Sequence, residues 1–146
     1  RVLPFEQEVV KLSLNARDSV MTNAQALAAI GGGGTNCSTP LALLNKERAK
    51  VDLVILVSDN ESWMDPHRGL STAMMAEWES FRQRNPKARL ACIDLTPNAT
   101  TQAPDRDDVL NVGGFSDAVF DLLRTFAASG VKGAHWVDII RGVTVD

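Results

Sequence analysis

A threonine and an aspartate on two successive loops are the residues of this sequence best suited to chemistry. Thr35 follows four glycines, Gly31 to Gly34, and precedes Asn36-Cys37-Ser38; Asp59 follows the mostly apolar run Val51 to Val57 and Ser58, and precedes Asn60-Glu61. One loop delivers a hydroxyl and the other a carboxylate. Four residues without side chains turn sharply or leave room for a close ligand, and a bound ion or anion fits there. Each residue also has a local reading, Thr35 as a hydrogen-bond partner of the following helix and Asp59 as the cap of the turn after its strand.

Other reactive side chains have simpler readings. His67 and His135 are far apart and lack metal-ligand spacing. Cys37 precedes a predicted helix, but no arginine follows at phosphatase spacing, so it reads as a small buried thiol. The basic run Arg82, Arg84, Lys87 and Arg89 either meets RNA phosphates or complements a helix C-terminus. Trp63, near Asp59, is a candidate contact for a partner, whereas Trp78 and Trp136 fit core faces.

The elements that must position Thr35 and Asp59 follow from pattern. Arg1 to Leu14, apolar and broken by Pro4, predicts one bent strand or two short ones. Thr22-Asn23-Ala24-Gln25 resembles a capping box opening an alanine-rich helix that stops at the glycines, and Ser38 with Pro40 opens a second helix through about Ala49. Val51 to Ser58 lacks alternation and predicts a strand covered on both faces, with Leu53 to Val57 all deeply buried. Leu70, Met74, Trp78 and Phe81 recur at helical spacing up to Asn85-Pro86. Ala88 to Leu95 is the next strand. After a polar loop from Thr96 to Asp108 come a short strand at Val109 to Val112 and a helix capped by Ser116, with Val119, Leu122, Leu123 and Phe126 inward. Gly130 to Asp146 fits a short final helix or a strand.

This alternation predicts an α/β fold: a doubly wound, mostly parallel, Rossmann-type sheet with helices on both faces and ligands at the carboxyl ends of its strands. The 146 residues suit one domain. A net charge of -3 supplies no general attraction to nucleic acid or anionic membrane. The longest apolar run is far too short to span a bilayer. Two cysteines without a signal peptide lead to the expectation of reduced thiols in a cytoplasmic protein.

Pro4-Phe5, Gly33 to Ser38, Ser58 to Ser62, Asp105 to Asp108 and Gly113-Gly114-Phe115 together resemble the von Willebrand factor type A domain of the Ro autoantigen (TROVE) proteins. The resemblance covers most of the chain. It implies a protein in which a ring of helical repeats binds small non-coding or misfolded RNA, while the type A domain carries a metal-ion-dependent adhesion site for a ligand such as an acidic protein. It also implies that Thr35 and Asp59 are metal ligands and that the ion is Mg²⁺ or another divalent cation, to which oxygen donors and retained waters are suited. Sharing one Mg²⁺ shell brings the two oxygens within roughly 4 Å of each other.

The family's Asp-x-Ser-x-Ser motif, and the first strand that carries it, do not occur in the sequence. Residues 1–146 therefore read as the C-terminal part of a single type A domain, incomplete at its N-terminus. A missing central strand withdraws something like ~10 kcal/mol of burial, comparable with the whole stability of a domain, about 5–15 kcal/mol. The expectation is an N-terminal segment or chain carrying Asp-x-Ser-x-Ser in that slot, completing the site. Function is then expected to be a binding platform and not an enzyme. The alternatives are a small phosphate-binding hydrolase using Gly31 to Gly34 and Asp59, and a metal-free nucleotide- or phosphoprotein-binding module.

Overall fold

The computed structural model describes residues 1–58, 73–96, 103–104 and 106–129. The chain divides into two compact units, Arg1–Ala49 with Glu61–Gln83, and Lys50–Asn60 with Arg84–Asp146.

In the first unit the N-terminal segment reverses direction at Glu6-Gln7-Glu8. An antiparallel bridge joins Phe5 to Val9, Val10 N donates to Pro4 O at 2.8 Å, and Glu6 N donates to Glu8 O at 3.0 Å. The predicted strands over Arg1 to Leu14 do not form; one bridge is all the regular pairing in this segment. Pro4 has no N–H to give to a ladder, and neither arm pairs with a further strand among the described residues.

Helix α1 spans Val20–Ala28, and its N-cap lies three residues ahead of the one the Thr22 capping box predicts. Ser19 is its N-cap, accepting from Thr22 N at 3.0 Å, so the capping chemistry is as expected but displaced by one hydroxyl residue. No residue of α1 is buried. Helix α2, Thr39–Lys46, buries Pro40, Leu41 and Leu44, and helix α3, Ala73–Arg84, buries Met74, Met75, Trp78 and Phe81. The i, i+3 pair Trp78 and Phe81 stacks with ring centroids 5.7 Å apart. Asn45 Nδ2 on α2 donates to Glu77 O on α3 at 2.9 Å. The chain leaves α3 just before Asn85-Pro86, as the proline requires.

The second unit contains a parallel sheet of order β1-β2-β3, with β1 Leu53–Ser58, β2 Arg89–Asp94 and β3 Val109–Gly113. Helix α4, Ala118–Ser129, packs Val119, Leu123 and Phe126 against Ala91 and Ile93 of β2 and Leu110 of β3. Leu53, Val112 and Leu122 flank this cluster. Leu90 and Cys92, pointing to the other face, are also buried, so β2 is covered on both sides.

Uniform burial of β1 is overturned. Leu56 is buried, Leu53 and Val54 are intermediate, and Ile55 and Val57 are each 45% exposed. The physical reason is position: among the described residues β1 is an edge strand paired only with β2, and the core cluster beneath α4 draws on β2 and β3 with only Leu53 of β1 at its margin. In β2 the four residues Leu90 to Ile93 are all buried, although its sequence carries a charge at each end.

Arg89, at the start of β2, gives its guanidinium to the carbonyls of Phe126 and Ala127 at the end of α4 and lies 5.8 Å from the Phe126 ring centroid. Of the basic run, this residue complements a helix C-terminus, satisfying carbonyls that lack intrahelical donors. The structure of Gly130 to Asp146, for which a helix or a strand was predicted, lies outside the described residues.

Two phenylalanines on α4 separate core from surface. Phe126 is fully buried and Phe120 is 61% exposed, touching Phe115 edge-on with centroids 6.0 Å apart. Phe126→Ala is expected to cost about 3–5 kcal/mol of stability, and Phe120→Ala no more than about 1 kcal/mol. Midpoints of chemical denaturation check both.

Candidate functional site

Thr35 lies half-buried in the loop between α1 and α2. The loop owes its geometry to the next residue. Asn36 Oδ1 accepts from Ser38 N at 3.1 Å and from the Ser38 hydroxyl at 2.7 Å, while Asn36 O accepts from the Thr39 hydroxyl at 3.0 Å and Thr39 N at 3.3 Å. Ser38 is the N-cap residue by position, as predicted, but its side chain makes no cap bond. Asn36 instead satisfies the amides of Ser38, from its side chain as in an Asx turn, and of Thr39, from its backbone carbonyl. The third position is Pro40, which has no N–H. The amides of residues 38 and 39 are thereby spent, which weighs against a phosphate cradle at the start of α2.

The hairpin-like turn of the N-terminal segment closes the loop from another side. Asn36 N donates to Glu6 O at 2.8 Å. The Glu6 carboxylate reaches the backbone at Gly33, where a β-carbon would stand 2.9 Å from Oε2. Cys37 is buried, in keeping with a small core thiol.

The second half of the predicted site starts from the carboxyl edge of the sheet. Register places Ser58, Asp94 and Gly113 in one row across β1, β2 and β3. Ser58 is buried, and its carbonyl accepts from Leu95 N at 2.9 Å. Asp94 O accepts from Gly114 N at 2.7 Å, and Asp94 Oδ1 accepts from Thr96 N at 3.2 Å. Gly114 has φ +83°, a conformation that glycine adopts without steric cost and that turns the chain out of β3 toward α4. Asp59, the residue after Ser58, lies outside the described residues, and so does its separation from Thr35. Trp63, His67, His135 and Trp136 lie outside them too.

Among the described residues no group of three or more histidine, cysteine, aspartate or glutamate side chains is arranged to hold a metal. The donors in question are a threonine hydroxyl and an aspartate carboxylate, both hard oxygens, and this chemistry fits Mg²⁺, which keeps several waters and needs only one or two carboxylates.

Asp94 and Glu6 were not among the predicted site residues. Asp94 had a signal in the sequence, since it ends an apolar strand as Asp59 does. Glu6 had none, because its approach to Gly33 exists only after the chain folds back. Arg106 makes a two-pronged contact with Asp108, at 2.9 Å from Nε and 3.3 Å from Nη2, and Asn111 Nδ2 donates to Ala103 O at 2.9 Å, anchoring the described part of the polar loop before β3.

Comparison with known proteins adds three findings. The sequence model of a family described as the Ro60 vWA domain matches residues 1–127. The RNA-binding protein RO60 of Deinococcus radiodurans is 29% identical over 128 residues, which is 87% of this chain and 23% of that protein. The crystal structure of the Deinococcus radiodurans RO (RSR) protein resembles this one with a TM-score of 0.68 and 26% identity, over 84% of this chain and 24% of that one. The chain thus spans under a quarter of the length of the relatives it matches.

Asn36→Ala removes the acceptor for Ser38 and is expected to cost about 0.5–2 kcal/mol, whereas Asn36→Asp keeps the acceptor and adds a charge suited to a helix N-terminus. Thermal denaturation of the two variants should separate them in that order.

Proposed function

Since the chain belongs to the Ro60 vWA domain family, we propose that it is the type A part of an RNA-binding Ro-like protein and works as a divalent-metal-dependent platform for a protein ligand, with no turnover of its own. The observation that carries this reading is the loop Gly33–Ser38, in which Glu6 meets the positions on both sides of a half-buried Thr35, in a chain whose β1 ends at Ser58 immediately before Asp59. In this reading Thr35 and Asp59 hold Mg²⁺, which supplies a coordination position for a carboxylate of an acidic partner. RNA binding, the property named for the Deinococcus relative, belongs in this proposal to a separate ring of helical repeats. The chain's net charge of -3 is in keeping with that division of labour.

The Asp-x-Ser-x-Ser strand belongs beside β1. Support comes from β1 having no second strand neighbour among the described residues, and from Ile55 and Val57 standing half in solvent. An edge strand with apolar side chains is a template for another strand.

Titration of the full-length protein with Mg²⁺ tests the metal. Saturable binding is expected, weakened at least about tenfold in Thr35→Ala and lost in Asp59→Ala; unchanged affinity in Asp59→Ala would overturn the assignment. Hydrogen exchange tests the strand. In a chain that includes an Asp-x-Ser-x-Ser segment, the β1 amides not bonded to β2 should exchange more slowly than in the 146-residue chain, and equal exchange in the two would exclude pairing at this edge.

A further inference from the structure

We propose that Glu6 is the positioning residue of the Thr35 loop. Its carbonyl accepts from Asn36 N at 2.8 Å, immediately after Thr35, and its side chain lies against Gly33, two residues before Thr35. One residue therefore holds the loop on both sides of the threonine. Glu6 is itself fixed by the reversal around it, through the Phe5–Val9 bridge and the bond from Glu6 N to Glu8 O.

The glycine run shows where this contact acts. A β-carbon at Gly31 or Gly32 would meet nothing within 4 Å, whereas one at Gly33 would stand 2.9 Å from Glu6 Oε2, 3.5 Å from Cδ and 3.6 Å from Cβ. Close approach of Glu6 is thus a specific reason for glycine at position 33, and openness is not one at 31 or 32. A side chain at 33 displaces the far end of Glu6, a flexible group, and leaves the backbone bond to Asn36 in place. Glu6→Ala and Gly33→Ala therefore remove the same contact from opposite sides.

That the loop serves a divalent cation rests on the function proposed above; that Glu6 fixes the loop does not. The test uses the full-length protein and two readouts. In the first, amide hydrogen exchange at Thr35 and Asn36 is expected to speed up about fivefold in Glu6→Ala and in Gly33→Ala. Little further change is expected in the double variant, and near-wild-type exchange in Glu6→Gln, which keeps the shape of the side chain. Unchanged exchange in Glu6→Ala, or simple addition of the two effects in the double variant, would overturn the proposal.

In the second readout, Mg²⁺ titration, Glu6→Ala is expected to weaken binding severalfold in the wild-type background and not in Thr35→Ala, because Glu6 acts through that residue. An equal loss in both backgrounds would show that Glu6 does not act through Thr35 and would sink the positioning role. If the wild type binds no Mg²⁺, the metal reading alone fails, and the exchange data still decide whether Glu6 holds the loop.

Discussion

The parallel pairing of β2 with a strand on each side is the constraint on which the second unit depends. Parallel strands exchange slanted, evenly spaced hydrogen bonds and fix their register along the whole run, so Ser58, Asp94 and Gly113 end together. The same pairing aligns alanine, isoleucine and leucine of β2 and β3 into one surface on which α4 packs. Arg89 then ties the end of α4 to the start of β2, so helix and strand share one side chain that satisfies carbonyls and covers the Phe126 ring. The backbone at the carboxyl edge is spoken for as well, with Leu95 and Gly114 donating to the carbonyls of Ser58 and Asp94. A row of strand ends with satisfied backbones is a stiff place from which to extend a loop.

In the first unit a comparable stiffness comes from side chains. Asn36 spends its amide oxygen and its carbonyl on Ser38 and Thr39, and its N–H on Glu6. Four glycines ahead of Thr35 would otherwise make the loop costly to order, since glycine loses more conformational freedom on folding than any other residue. Asn36 and the Glu6 turn offset that cost at the end of the loop where Thr35 stands. The helix that follows is short, eight residues, and is held by buried Pro40, Leu41 and Leu44 more than by its own propensity.

Membership of the Ro60 vWA domain family gives these two arrangements a common context, and the coverage of the relatives sets its scale. A chain spanning 23% of a relative shares one module with it, and the module's structural signature is the α/β architecture with a parallel sheet. The exposed flank of β1 is the feature least like a finished sheet, because half-exposed isoleucine and valine on a strand with no second strand neighbour among the described residues gain nothing from water.

What the sequence by itself determined was the set of elements governed by local chemistry. Two apolar runs bounded by turn residues, at 53–58 and 89–94, could hardly be anything but strands, and Pro86 had to stop α3. Spacing alone marked Val119, Leu123 and Phe126 as one face of a helix, and the quoted motifs marked the family. Tertiary structure decided everything that depends on which segments become neighbours. Two apolar strands differ in burial because, among the described residues, β2 has partners on both edges and β1 on one, which no local pattern encodes. The N-terminal segment has strand-like composition yet forms a single bridge, because a strand exists only where a second strand accepts its hydrogen bonds. The helix cap is Ser19 and not Thr22, two nearby hydroxyl residues competing for one helix start, a choice made by local hydrogen bonds. Glu6 met Gly33 across a separation that sequence treats as empty, since contact between them depends on chain reversal and not on residue type.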